Sequence, residues 1–224
     1  MVFSTQWEQI HRQGEQNSVW PWSDLVSYVM RYARPDRRPY RLLELGFGAG
    51  ANIPFFLDIG AEYSGIEGSA AAVERVRKRF ASADNLSVAR GDFTETIPFA
   101  GPFDLIVDRS SLTHNGTAAI RACLRQLRDL TRSGGKFIGI DWFSTANTEF
   151  RSGRELEDRY TRGEFRAGQF CGVGTVHFSD EAHLRDLLVR AGFEIQLMEH
   201  KQLDTVFPAT SGRMAWWNFV AVKT

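Results

Sequence analysis

The stretch Leu43-Glu-Leu-Gly-Phe-Gly-Ala-Gly50 decides the fold. The apolar run Tyr40 to Leu45 reads as a strand that delivers the chain to a glycine turn, with a helix expected to begin near Asn52. Glycines let backbone approach a ligand closely, and the free amides at a helix start can bind polar atoms. Gly46, Gly48 and Gly50 are spaced as GxGxG. The dinucleotide fingerprint is GxGxxG, so Gly50 followed by Ala51 costs an NAD reading one of its glycines. Glu44, two positions before the first glycine, is also untypical of nucleotide dehydrogenases.

Working outward, short β-like runs alternate with helical patterns, which implies βαβ units and a parallel sheet. Further strands are expected at Tyr63 to Ile66, Leu86 to Ala89, Phe103 to Val107 and Lys136 to Ile140. Val73, Val76 and Phe80 recur at helical spacing, and Ile120, Cys123, Leu124, Leu127 and Leu130 form a wider apolar stripe. Gly134-Gly135 is expected to end that second helix. Ser179 is expected to N-cap another, carrying Leu184, Leu187 and Leu188 and closed by Gly192. Phe193 to Leu203 and Met214 to Val222 read as a terminal hairpin. Ser144 to Phe178 breaks the alternation, being much longer than the roughly 2–6 residues usual for such connections. It mixes Arg151, Arg154, Glu155, Glu157, Asp158 and Arg159 with Gly163, Gly168, Gly172 and Gly174. It reads as an inserted cap beside the site, the alternative being a disordered solvated loop.

Composition narrows the partners. The 224 residues suit one α/β domain, and 27 basic residues balance 27 acidic ones, so the basic excess of a nucleic-acid binder is missing. Cys123 and Cys171 lie far apart without metal-ligand spacing, which argues against zinc or a disulfide framework and fits a reducing cytosol. The segment Met1 to Asn17 is polar, carries Glu8 and Glu15, and does not read as a signal peptide. No apolar run approaches membrane-spanning length. The expectation is a soluble cytoplasmic protein with a small-molecule partner, no membrane, no nucleic acid and no metal, as monomer or homodimer.

From Tyr40 to Thr224 the sequence resembles the class I S-adenosylmethionine-dependent methyltransferases, especially their small-molecule branch. The resemblance implies S-adenosyl-L-methionine as cofactor, its methionine part and ribose cradled by Glu44, Gly46, Phe47, Gly48, Gly50 and Asn52. It implies that Glu67, with Gly68 and Ser69, meets the ribose hydroxyls; a carboxylate can accept from two neighbouring hydroxyls at once. Asp92 would accept from the adenine amino group with Phe93 against the ring, and Asp108 and Arg109 would complete the cofactor set. The Ser133 to Phe137 turn also matches. The implied fold is α/β: a Rossmann-like, doubly wound, mostly parallel seven-stranded sheet with a C-terminal antiparallel hairpin. To this are added an N-terminal helical lid (1–39), a cofactor core (40–143), the insertion (144–178) and a final helix and hairpin (179–224), all in one domain. The cofactor would lie outside the carboxyl ends of the first and fourth strands.

Methyl transfer asks little of a protein beyond holding donor and nucleophile in line, unless the acceptor must lose a proton. Candidate bases, in order, are His114, Asp108 and His177. His114 could instead line the cofactor, and Asp108 and Asp141 could be backbone organisers. The acceptor side is expected to draw on Trp22, His114, Asp141, Trp142, Phe143, Arg159, Tyr160 and His177. Trp20-Pro-Trp22 and a helix from Ser23 to Tyr32, with Val26, Val29 and Met30 on its apolar side, could form the lid with Trp7, or simply pack on the sheet. Trp216 and Trp217 read as structural. A weaker likeness, at Trp20 to Ser23, Val107 to His114, Ile140 to Ser144 and Val176 to Asp180, is to enzymes of bacterial surface-polysaccharide gene sets, which suggests a sugar or nucleotide-sugar hydroxyl. The competing readings are an RNA, DNA or protein methyltransferase, an NAD-dependent oxidoreductase and a non-catalytic binding module. Asp108-Arg-Ser-Ser111 stands where a base amino-methylating enzyme would carry an Asn/Asp-Pro-Pro-aromatic motif, and no catalytic cysteine is apparent.

Overall fold

The computed structural model describes residues 5–14, 18–36, 38–208 and 212–224. Two helices, α1 (Thr5–Arg12) and α2 (Ser23–Tyr32), precede the first strand. Then come β1 (Arg41–Leu45), α3 (Ile53–Asp58), β2 (Glu62–Glu67), α4 (Ala70–Arg79), β3 (Leu86–Arg90), β4 (Phe103–Arg109), α5 (Thr117–Leu130) and β5 (Thr131–Phe143). Three short strands follow, β6 (Arg154–Glu155), β7 (Thr161–Gly163) and β8 (Val176–His177). The chain ends with α6 (Glu181–Arg190), β9 (Phe193–Asp204) and β10 (Arg213–Lys223).

The seven long strands form one sheet in the order β3-β2-β1-β4-β5-β10-β9, in which β10 pairs antiparallel with both neighbours and the other pairings are parallel. Period-two alternation explains the two faces. Leu43, Leu45, Ile106 and Phe137 point to one side and meet Ile120, Leu124 and Leu127 of α5 and Leu184 and Leu188 of α6. Leu42, Leu105, Val107 and Ile138 point to the other and meet Leu25 and Val29 of α2, Phe56 of α3 and Val73 and Val76 of α4. A sheet covered on both faces needs apolar residues at nearly every central position, which is why these strands read as continuous apolar runs. The chain moves outward one way from β1 and the other way from β4, so a crevice opens where the two diverge.

Several boundaries differ from the sequence expectation. α5 ends at Leu130 and β5 begins directly at Thr131, so Gly134 and Gly135 lie inside that strand. There they form an irregularity, with Thr131 opposite Phe103 but Lys136 opposite Leu105. α6 is capped by Asp180, whose carboxylate accepts from the His183 amide, rather than by Ser179. α2 buries Leu25, Tyr28 and Val29, while Met30 is exposed. The segment 144–178 is a structured unit: β6, β7 and β8 pair antiparallel over an aromatic core of Phe143, Phe165, Phe170, Val176 and Phe178. Its rings meet edge-on, Phe143 and Phe170 with centroids 4.7 Å apart and Phe170 and Phe178 5.3 Å apart. Trp217 turns inward and Trp216 packs against the insertion core. No helix among the described residues is long and apolar enough to cross a membrane.

Candidate functional site

The crevice deepens into a cavity of about 760 Å³ bounded by the glycine loop, the ends of β2, β3 and β4, helix α1 and the insertion. Its first wall is backbone. Gly46 and Gly48 line it with φ of +61° and +53°, a conformation that side-chain-bearing residues rarely adopt. A Cβ on Gly46 would stand 2.1 Å from the Ser111 hydroxyl oxygen, so glycine is also required there by packing. Gly50, with φ +78°, faces Val76 and Ile53 and closes the loop onto α4 without lining the cavity.

Two buried acids organise this wall. Glu44 accepts from Asn52 at 2.7 Å and from the Tyr63 hydroxyl at 2.6 Å, and Asn52 in turn accepts from the Trp22 amide at 3.2 Å. Glu67 accepts from the Gly48 amide at 3.0 Å and the Ser69 amide at 2.9 Å. Burial pushes both carboxyls up from the usual range, while these hydrogen bonds oppose the shift. Asp92 and Phe93 line the cavity from the end of β3, Asp92 accepting from the Thr94 amide and hydroxyl. Gly68 and Ser69 lie outside it. Ser69 caps α4 and donates to Glu8 of α1 at 2.7 Å, so it anchors that helix.

The end of β4 separates two neighbours by role. Asp108 is fully buried and does not line the cavity, because its carboxylate turns back to accept from the Ser111 and Leu112 amides at 3.1 and 2.9 Å. Burial pushes it up to about 7, yet it meets no space that a substrate could enter. It pins the turn that presses Ser111 onto Gly46. Arg109 does line the cavity, its guanidinium 3.4 Å from the centre of the Trp22 ring and 2.9 Å from Asp141. Asp141 thus holds Arg109 from behind rather than facing the cavity. Ser110 and Asp141 both have left-handed backbones, with φ of 56° and 58°, and are joined by a hydrogen bond of 2.9 Å. Such strain concentrates where a site demands a fixed geometry.

His114 lines the cavity between α1 and the insertion, its ring edge-on to Trp7 at 4.7 Å and to Phe143 at 5.7 Å. Burial lowers it to about 4, so the imidazole is neutral at neutral pH. The remaining residues expected at the acceptor side fall elsewhere. Trp142 is buried in the main core against Phe137 and Phe219, and Phe143 stands behind His114 in the insertion core. His177 is fully buried between Thr117, Ser179 and His183, with the two imidazoles 3.1 Å apart at Nε2. Arg159 and Tyr160 lie on the outer side of the insertion, Tyr160 stacked on His183 at 3.6 Å and Arg159 exposed. The sequence reading missed His11, Asn115, Glu164, Phe165, Phe170 and Thr175, all of which line the cavity. His11 and Trp7 lie four apart on α1, a helical spacing that could have signalled a shared face.

Comparison with known proteins finds the same fold and a partial match to one family. Residues 42–135, spanning β1 to the start of β5, match the family described as methyltransferase domain. The chain has the class I methyltransferase fold. A SAM-dependent methyltransferase of Methanosarcina mazei superposes with a TM-score of 0.70 at 14% identity, covering 91% of this chain and 98% of that one. The glycopeptide N-methyltransferase MtfA, crystallised with sinefungin, gives 0.61 at 20% identity, covering 90% and 86%. Protein-L-isoaspartate O-methyltransferase of Chromobacterium violaceum is 32% identical over 104 residues, 46% of this chain and 43% of that relative. The chain therefore spans less than half the length of that curated relative.

The lining of the cavity fits a sulfonium cofactor. Glu44, Glu67 and Asp92 line it against one arginine, Arg109, with the fourth acid, Glu164, paired to Arg154, giving the acidic surroundings a cation prefers. Beside Gly48 the buried Nδ1 of His11 has no partner, nor has Nε of Arg109, so polar atoms of a ligand are wanted at this end.

Proposed function

We propose that the chain transfers a methyl group from S-adenosylmethionine to a small acceptor enclosed beneath the insertion. The observation that carries this reading is the cavity itself: two left-handed glycines and a buried acid at one end, an aromatic wall with a neutral histidine at the other. S-adenosylmethionine supplies an activated methyl group on a sulfonium sulfur. The chain's own contribution is to hold it and to exclude water. Glu67 meets the ribose hydroxyls in exchange for its bonds to the loop, Phe93 backs the adenine, and Asp92 accepts from its amino group. Arg109, fixed between Trp22 and Asp141, is placed to meet the carboxylate of the methionine part.

A volume of about 760 Å³ lies within the roughly 300–1,000 Å³ typical of small-molecule sites. Both α1 and the insertion close over it, which favours a compact acceptor over an RNA strand or a folded protein. Of the candidate bases, His114 alone lines the cavity, so it is the residue assigned to the acceptor. Isothermal titration with S-adenosylhomocysteine and with NADH tests the reading. One-site binding of the first and none of the second is expected; the reverse would make the chain a dehydrogenase.

A further inference from the structure

On the methyl-transfer reading above, the acceptor lies at the end of the cavity remote from Glu67, and the side chains there define its class. His114 is the polar group at the centre of that wall. One ring nitrogen donates to the Thr175 backbone carbonyl, while Nδ1 is buried without a partner. With one N–H so committed, a neutral imidazole presents Nδ1 as a lone pair, an acceptor that lacks a donor. A buried acceptor of this kind is costly unless something donates to it. The ring cannot easily turn to find another partner, because Trp7 and Phe143 hold it edge-on from two sides. Around it, Phe165, Phe170 and Leu156 supply apolar surface.

Charge is missing where an anionic acceptor would need it. Among the described residues lining the cavity, Arg109 is the one fixed cation, and on the methyl-transfer reading it is taken up by Asp141, the Trp22 face and the methionine carboxylate. Glu164, the acid of this wall, pairs with Arg154. A phosphate brought here would be stripped of water with no cation to receive it.

We propose that this compartment takes an uncharged ring compound whose hydroxyl or amine N–H donates to His114 Nδ1, its ring lying against Trp7. A pyranose and a phenol or aniline share this chemistry, since each offers a flat face to an aromatic ring and a nucleophile that carries a proton. A nucleotide sugar, with its diphosphate, does not.

The protein saturated with S-adenosylhomocysteine should be titrated with uncharged methyl pyranosides, phenols and anilines, with the phosphates of the same rings, and with a nucleoside-diphosphate sugar. At least one uncharged series should bind, and the pyranoside and phenol arms identify the ring. The phosphorylated partners should bind about ten-fold more weakly or worse. His114→Ala should lower affinity for the best compound about ten-fold, leaving that for S-adenosylhomocysteine within about two-fold; His114→Asn, which keeps a polar atom near Nδ1, should recover part. Tighter binding of the nucleoside-diphosphate sugar, no binding by any uncharged ring, or an unaffected His114→Ala would each overturn the assignment. Failure of the wild type to bind S-adenosylhomocysteine would instead strike the methyl-transfer reading itself.

Discussion

The two ends of the cavity are built by opposite means. The end formed by Gly46, Gly48, Glu67 and Asp92 is made of backbone turns and carboxylates at successive strand ends. The end formed by Trp7, His114, Phe165 and Phe170 is made of side chains from α1, the turn after β4 and the insertion. A backbone-made wall tolerates almost no change, because positive φ at Gly46 and Gly48 excludes most residues. A wall made of packed rings can be rebuilt, since hydrophobic swaps of similar volume are tolerated. One scaffold can thus keep its backbone-made end while the ring-lined end changes.

The sharpest test of that contrast is Gly46→Val. Left-handed strain and overpacking against Ser111 together cost about 2–5 kcal/mol, and S-adenosylhomocysteine binding should fall about a hundred-fold or more by calorimetry. Gly48→Ala is the control, for its Cβ would meet His11 at an ordinary 3.6 Å and strain alone, about 1–2 kcal/mol, remains. Equal behaviour of the two would show that the loop is not read through packing on Ser111. At the other end, Phe178→Ala removes a fully buried ring from the insertion core and should cost about 3–5 kcal/mol locally. Proteolysis within 144–178 should quicken while S-adenosylhomocysteine affinity stays within about two-fold; matched loss of both would merge the two ends.

Smaller effects refine the picture. Glu67→Ala should weaken S-adenosylhomocysteine about ten-fold, as expected for a charge-assisted hydrogen bond of about 1.5–3 kcal/mol. Deoxyribose analogues should then lose little more. His177 and His114 are held near 3 and 4 by burial, below the ordinary 6.5, so the native state binds fewer protons than the unfolded one. Stability should therefore fall as pH drops from about 6.5 towards 3, with a slope of about 1.4 kcal/mol per pH unit for each such histidine. Urea titrations should show this slope reduced by His177→Gln, and an unchanged slope would count against it. Arg159→Ala should alter neither acceptor nor cofactor binding, because this exposed side chain lies on the outer side of the insertion. A rise in acceptor KM would return it to the site.

The same contrast explains what could be read from the sequence. Strand-like runs located all seven strands of the main sheet; two-sided burial leaves a continuous apolar signature in central strands such as β1 and β4, while the edge strands β3 and β9 are largely uncovered and show it weakly. Glu44, Gly46, Gly48, Glu67 and Asp92 stood out because each lies at or just beyond the carboxyl end of a strand. Asp108, Trp142 and His177 look equally chemical in the sequence, yet each turns into the body of the protein. Nothing in a one-dimensional spacing distinguishes a residue facing the crevice from its neighbour facing the core at the frayed end of a strand. Phe165, Phe170 and Thr175 carried no signal because the insertion's fold is set by aromatic packing among distant residues.

The most direct measurement is a crystal structure of the complex with S-adenosylhomocysteine. The ribose hydroxyls should lie within hydrogen-bonding distance of Glu67, the adenine against Phe93, and the sulfur on the side of Trp7 and His114. An adenine found among Phe165 and Phe170, with the glycine loop untouched, would contradict the assignment of the two ends.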